Sequence, residues 1–218
     1  MKWIRNIPLI TLFIISACHT SNIAGDREDG TMPYSDWGFA FFTPKALPVE
    51  VTFVTLLDDH YIKHTFRMLD GVEESFNRVG KWDQKVTRMT QLNKVRHLPI
   101  AMIFCWDSIV DKKTYETKIA FPQSVRDIMI TPYGNDMYGE TAWYNTLLIG
   151  LAPEGKVRIW LQTMKLGANL PVEAATITTA SEKDLRLCKS MVRDKASYIP
   201  IKSTEEFIKD KTYPYGEW

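Results

Sequence analysis

Tyr144–Gln162 reads YNTLLIGLAPEGKVRIWLQ, and it decides the fold class. Tyr144 to Leu151 is an apolar run of strand length, and Ala152-Pro153-Glu154-Gly155 is a turn in composition. Lys156 to Gln162 then sets Val157, Ile159 and Leu161 against Arg158, Trp160 and Gln162. A period of two on the far side of a short turn predicts a β-hairpin. The pattern recurs outward in both directions. Trp37–Thr43 (WGFAFFT) is a short aromatic strand ending at Pro44, and Val49–Leu57 (VEVTFVTLL) alternates, with Val54 and Leu56 enriching its second face. This strand should therefore lie inside a sheet, covered on both sides towards its end. Asp58 and Asp59 mark a turn into a returning arm, His60–Met68. Leu98–Val110 and Thr114–Ala120 make a second strand pair, and Val172–Thr179 adds a further strand.

Helical signals are short. Pro122–Ile130 places Val125, Ile128 and Met129 on one face behind an initial proline. Ser181 with Asp184 predicts a helix through Val192 whose face carries Leu185, Cys188 and Val192. Ser203 and Glu206 form a capping-box pattern ahead of Phe207 and Ile208. Consecutive strands joined by short turns favour antiparallel pairing. The expected fold is a β-dominated α+β domain, a mainly antiparallel sheet or sandwich with short helices late in the chain. Residues 70–96, in which no period wins, are expected to be loops or a peripheral element over the sheet.

Composition agrees with one folded body. The 218 residues are 45% hydrophobic and 24% charged, which excludes wholesale disorder. Twenty-seven basic residues face 26 acidic ones with no long run of either sign, so the phosphate-neutralising stripe that nucleic acid requires is missing.

The amino terminus reads as an address. Lys2 and Arg5 precede the apolar stretch Ile7–Ile15, which is too short for a membrane span of about 20 residues. Ile15-Ser16-Ala17-Cys18 follows and resembles the lipobox of bacterial lipoproteins. That resemblance implies cleavage of a signal peptide over residues 1–17 and acylation of Cys18, a tether to the membrane rather than a span. His19 stands where an aspartate would favour inner-membrane retention, so the expected location is the outer membrane, facing the periplasm. Residues 18–33, rich in Ser, Thr, Gly and charge, are expected to form a flexible tether to a single globular domain over 34–218. With Cys18 acylated, Cys105 and Cys188 remain in an oxidising compartment. One disulfide and two separately buried thiols are both open.

Chemistry is sparse. His60 and His64 stand four apart behind Asp58 and Asp59, yet a strand would not bring them to one ion, so no metal is expected. There is no Gly-x-Ser-x-Gly elbow, phosphate-binding glycine loop or Cys-x-x-Cys pair. Glu73-Glu74 and Glu205-Glu206 sit among polar residues that favour solvated faces. An enzyme is not expected, a metal-dependent hydrolase being disfavoured, and no cofactor is implied. Trp37, Trp106 and Trp160 are expected in the core, whereas Trp82, Trp143 and Trp218, in or beside irregular segments, are candidate exposed anchors. Thr131–Thr141 (TPYGNDMYGET) is a loop by its turn chemistry and carries two tyrosines. Residues 70–96 and 131–143 are therefore candidate partner surfaces, with Trp82, Tyr133, Asp136, Tyr138, Glu140 and Trp143 as contacts.

A resemblance joins these segments. Trp37-Gly38-Phe39, Pro44-Lys45, Pro48-Val49-Glu50-Val51 and Asp58-Asp59, together with Leu148–Pro153, Gly155 and Ile159-Trp160-Leu161, resemble a family of short bacterial lipoproteins known as domain of unknown function 2931. Some lipoproteins of this kind resemble immunity partners of antibacterial type VI secretion lipases. The resemblance implies stoichiometric binding of a phospholipase effector at the membrane. The rival expectation is a housekeeping envelope lipoprotein that binds a polysaccharide, lipid or envelope protein.

Overall fold

The structure is a computed structural model and describes residues 32–67, 72–79, 81–82, 86, 93–163 and 169–212, with 73–79 described by backbone alone. The expected signal segment, Cys18, the part of the expected tether up to residue 31, and Trp218 lie outside the described residues. The strands are β1 (Trp37–Lys45), β2 (Val49–Asp58), β3 (Lys63–Arg67), β4 (Glu73–Val79), β5 (Lys94–Val95), β6 (Pro99–Ser108), β7 (Lys113–Ala120), β8 (Thr146–Ala152), β9 (Lys156–Gln162), β10 (Leu170–Pro171) and β11 (Thr176–Ser181). The helices are α1 (Gln123–Ile130) and α2 (Lys202–Ile208).

They build two sheets. One runs β10-β9-β8-β1-β4, with β5 also beside β1, and the other runs β11-β7-β6-β2-β3. The second is antiparallel throughout. In the first, the hairpin read from Tyr144–Gln162 pairs as expected, from Thr146 opposite Gln162 to Ala152 opposite Lys156. Glu154 and Gly155 both take left-handed backbone at its turn (φ 65° and 71°), the primed geometry that matches strand twist. β1 pairs parallel with both β8 and β4, giving a mainly antiparallel fold a parallel centre.

The main core lies between the sheets. Trp37, Phe39 and Phe41 from β1 and Leu147, Ile149 and Leu151 from β8 meet Val54, Leu56, Met102, Phe104 and Trp106 from the other sheet. Val125 and Met129 of α1 close one side of this cluster. The opposite parity of β1 and β8 is buried too, because Phe42, Leu148 and Trp160 pack under Trp82 and Val86. A sheet covered on both faces demands a nearly continuous apolar run, the pattern seen in WGFAFFT.

Several expectations are corrected. β2 keeps its place inside a sheet, but a bulge between Val51 and Phe53 switches its faces, so Val49 and Val51 share the core with Val54 and Leu56. Phe53 is released to the other face, beside Cys105, Leu185 and Cys188. Part of the 70–96 segment is strand: β4 pairs with β1 through its backbone despite the polar sequence EESFNRV. The strand expected at Val172–Thr179 begins only at Thr176, as β11 beside β7, while Leu170–Pro171 ahead of it forms β10 beside β9. The bend at Ala174–Ala175 carries the chain from one sheet to the other.

The helix expected through Val192 is two 3₁₀ turns, Glu182–Asp184 and Leu187–Met191. Leu185 and Cys188 are buried as expected, but Val192 is exposed. The cause is a competing acceptor. The buried Glu116 carboxylate takes the N–H groups of Arg186 (2.9 Å) and Cys188 (3.1 Å). Cys188 is further fixed by a disulfide to Cys105, with Cα atoms 5.5 Å apart. α2 begins at Lys202 with Ile201 at its cap and no side-chain capping bond, so Ser203 does not act as the predicted cap.

Candidate functional site

The chain leaving α1 forms a braced projection over residues 131–143. Tyr133 N–H donates to the Ala142 carbonyl and Ala142 N–H to that of Gly134, both at 2.8 Å, and Asn135 bridges Thr141 beyond them. At the tip, Asp136 N–H donates to the Glu140 carbonyl at 2.8 Å. Asp136 Oδ1 accepts from the N–H groups of Tyr138 (2.8 Å) and Glu140 (3.0 Å). Gly134 and Gly139 take left-handed backbone (φ 76° and 84°). Such a conformation suits glycine and closes the narrow turn.

This bracing holds apolar side chains in solvent. Tyr138 is 78% exposed, Met137 63% and Tyr133 47%. At the base, Tyr133 packs on Tyr144 with ring centroids 4.6 Å apart, and Trp143 meets Tyr34 edge-on at 5.9 Å. The Tyr34 hydroxyl donates to the Met129 carbonyl at the end of α1. Burial, reinforced by the hydroxyl and charge of Tyr133, pushes the Tyr144 phenol up to about 12. It therefore stays neutral at physiological pH. The loop tip can present aromatic and thioether surface with little further ordering, which is what an interface anchor requires.

The residues singled out from the sequence divide accordingly. Tyr133, Tyr138 and Glu140 are exposed on this projection, Asp136 braces it, and Trp143 is half-buried at its root. Trp82 is corrected: at 8% exposure it is a core residue. It stands over Trp160 edge-on, with the Arg158 guanidinium 5.3 Å from its ring centre. Gly150 makes this seat, since a Cβ there would lie 2.8 Å from both Trp82 Nε1 and Trp160 Cζ3. Met137 was not singled out, although its place between Asp136 and Tyr138 in a turn was a usable signal.

Two further clusters bear on chemistry. Asp58 is fully buried, and its Oδ1 accepts from the N–H groups of His60 (3.0 Å) and Ile62 (2.9 Å) while Oδ2 meets His64 Nε2 at 2.8 Å. Burial tends to raise its pKa, but His64 and the two N–H groups outweigh burial and hold it below the usual carboxylate range. His64 is thereby committed to Asp58, and His60 stacks on His97 at 3.6 Å. The two histidines four apart do not converge. The second cluster is Asp107, which accepts from Thr114 (2.6 Å) and Tyr198 (3.2 Å), with Arg193 3.6 Å away. Burial raises the Asp107 pKa despite these partners. Asp107, Thr114 and Tyr198 are all buried, so the cluster ties the C-terminal segment to β6 and β7. Glu205 and Glu206 are exposed, as expected of a solvated pair.

Among the described residues, no helix is long and apolar enough to cross a membrane. A family model described as protein of unknown function (DUF2931) matches residues 20–216. No curated protein and no solved structure matches the chain.

Proposed function

The chain belongs to the DUF2931 family of proteins of unknown function, and we propose that it is an outer-membrane lipoprotein, facing the periplasm, that binds and neutralises an antibacterial phospholipase delivered by type VI secretion. The observation that carries this reading is the braced 131–143 projection, with Met137 and Tyr138 held in solvent by the Asp136 carboxylate. A rigid apolar tip is suited to entering the acyl-chain cleft of a lipase, which is itself apolar. Anchoring through an acylated Cys18 would concentrate the inhibitor on the surface the toxin attacks, a gain in effective concentration without any new contact. Inhibition by occupation needs no catalytic group on this chain.

The test is co-expression with a candidate periplasmic phospholipase, scoring growth, and titration of the two purified proteins. Wild type should rescue growth, and Cys18→Ser should rescue less because the tether is lost. Tyr138→Ala should weaken binding by about ten-fold or more, the scale of an interface anchor, with an unchanged melting temperature. Met137→Ala and Glu140→Lys should weaken binding in the same direction. Asp136 serves differently: its charge reversal would break the loop's own hydrogen bonds, so its effect reports loop order. Equal affinity in the Tyr138, Met137 and Glu140 variants would reject the loop as the interface. Failure of wild type to bind or protect against any such lipase would favour the housekeeping reading, in which the protein serves a polysaccharide, lipid or envelope protein.

A further inference from the structure

The turn between β2 and β3 brings Asp59 and His60 against His97, which precedes β6. Donor atoms of the three side chains all lie within 4.8 Å of one another. Their backbones are pinned independently. Asp59 N–H donates to the Leu98 carbonyl at 2.8 Å, Trp37 Nε1 donates to the His97 carbonyl at 2.7 Å, and His60 N–H is held by Asp58. One carboxylate oxygen, Asp59 Oδ1, is buried and has no hydrogen-bond partner among the described residues. A buried carboxylate oxygen lacking a donor is costly, and a bound cation is one way to satisfy it.

We propose that Asp59, His60 and His97 form a surface binding site for a divalent transition metal of the zinc class. Two imidazoles and one carboxylate are a borderline donor set, suited to Zn²⁺ and poorly suited to Ca²⁺ or Mg²⁺, which favour oxygen ligands. Tetrahedral zinc holds such donors about 2.0–2.2 Å from the ion, hence roughly 3.3–3.5 Å from each other. The present spread closes to that value by a movement of about 1.5 Å or less. The rings of His60 and His97 are stacked, 18° from parallel, so ligation turns them about their side-chain bonds until both lone pairs face the ion. His60 is exposed and free to do so. Asp58 and His64 stay outside the set, because each already satisfies the other. Three protein ligands leave a fourth position for water or for a group from a partner.

The probe is Zn²⁺ itself, titrated by calorimetry into the untagged full-length protein, with Co²⁺ absorption as a second readout. We expect one ion per chain and visible Co²⁺ bands of a four-coordinate site. His60→Ala, His97→Ala and Asp59→Asn should each weaken binding by about ten-fold or more, with little change in the metal-free melting temperature. His64→Ala should leave affinity within about two-fold, and His19→Ala should do the same, which separates this site from the Cys18-His19 pair. Should His97→Ala fail to fold, His60→Gln at the exposed ring decides the matter. The proposal is overturned if wild type binds no Zn²⁺, if the three ligand variants bind as wild type does, or if affinity follows His19.

Discussion

Asp58 shows how one side chain can fix a turn that composition only locates. Asp-Asp after a strand signals a reversal, but the reversal closes because a fully buried carboxylate takes two N–H groups and an imidazole while Tyr61 adopts left-handed backbone (φ 62°). Asp58→Ala strands those donors and should cost about 1–3 kcal/mol, read as a lowered urea midpoint. Gly150 is the second such residue. Gly150→Ala places a methyl against Trp82 and Trp160 at 2.8 Å, and both rings are buried. Overpacking of this kind costs about 1–3 kcal/mol, and Trp82 displaced towards water should red-shift the intrinsic fluorescence. Nothing about an isolated glycine in TLLIGLA announced that requirement, because Trp82, which completes the seat over Trp160 of the same hairpin, comes from 68 positions away.

At the scale of elements, the segment after β11 is the instructive case. Leu185, Cys188 and Val192 have helical spacing, yet 3₁₀ turns form because Glu116 of β7 captures two of the N–H groups. Burial tends to raise the Glu116 pKa; the N–H groups of Cys188 and Arg186, followed by Lys118, outweigh burial and hold it below the ordinary value. A carboxylate with a depressed folded pKa stabilises fully above its unfolded value, about 4, and that contribution is lost as pH falls through the folded pKa. Asp58 acts in the same direction, whereas Asp107, whose pKa is raised, favours the folded state as acid protonates it. Glu116→Gln should therefore lower stability at pH 7 and reduce the further loss between pH 7 and 3. Urea unfolding at both pH values checks this, and an undiminished acid loss would remove Glu116 from the account.

For the whole molecule, the disulfide joins a central strand of one sheet to the strap that crosses it. Cys105 and Cys188 are 83 residues apart, so in the chain-entropy model the bridge stabilises by about 4.5 kcal/mol. Double replacement by alanine, or full reduction, should lower the unfolding free energy by about that amount, measured by urea titration with and without reductant. The hairpin β8–β9, the β6–β7 pair and α1 were legible because each carries its own period. β4 was not, since a strand held at a sheet edge by backbone bonds to β1 needs no apolar alternation of its own. The projecting loop was legible from its Pro, Gly, Asn and Asp, whereas the rigidity that makes it a candidate anchor came from Asp136 and the tyrosine pair at its base. His97 lacked any local signal, being 37 positions from His60.

The sequence by itself determined that this is a β-dominated chain, where its hairpins turn and that Thr131–Thr141 is a loop, because alternation and turn chemistry act between neighbours a few residues apart. Tertiary structure alone decided the parallel centre of the first sheet, the burial of Trp82, the 3₁₀ strap under Glu116, the joining of Cys105 to Cys188 and the meeting of Asp59 and His60 with His97. Each of those depends on groups brought together across long stretches of chain, where packing volume and unsatisfied hydrogen bonds outweigh local preference.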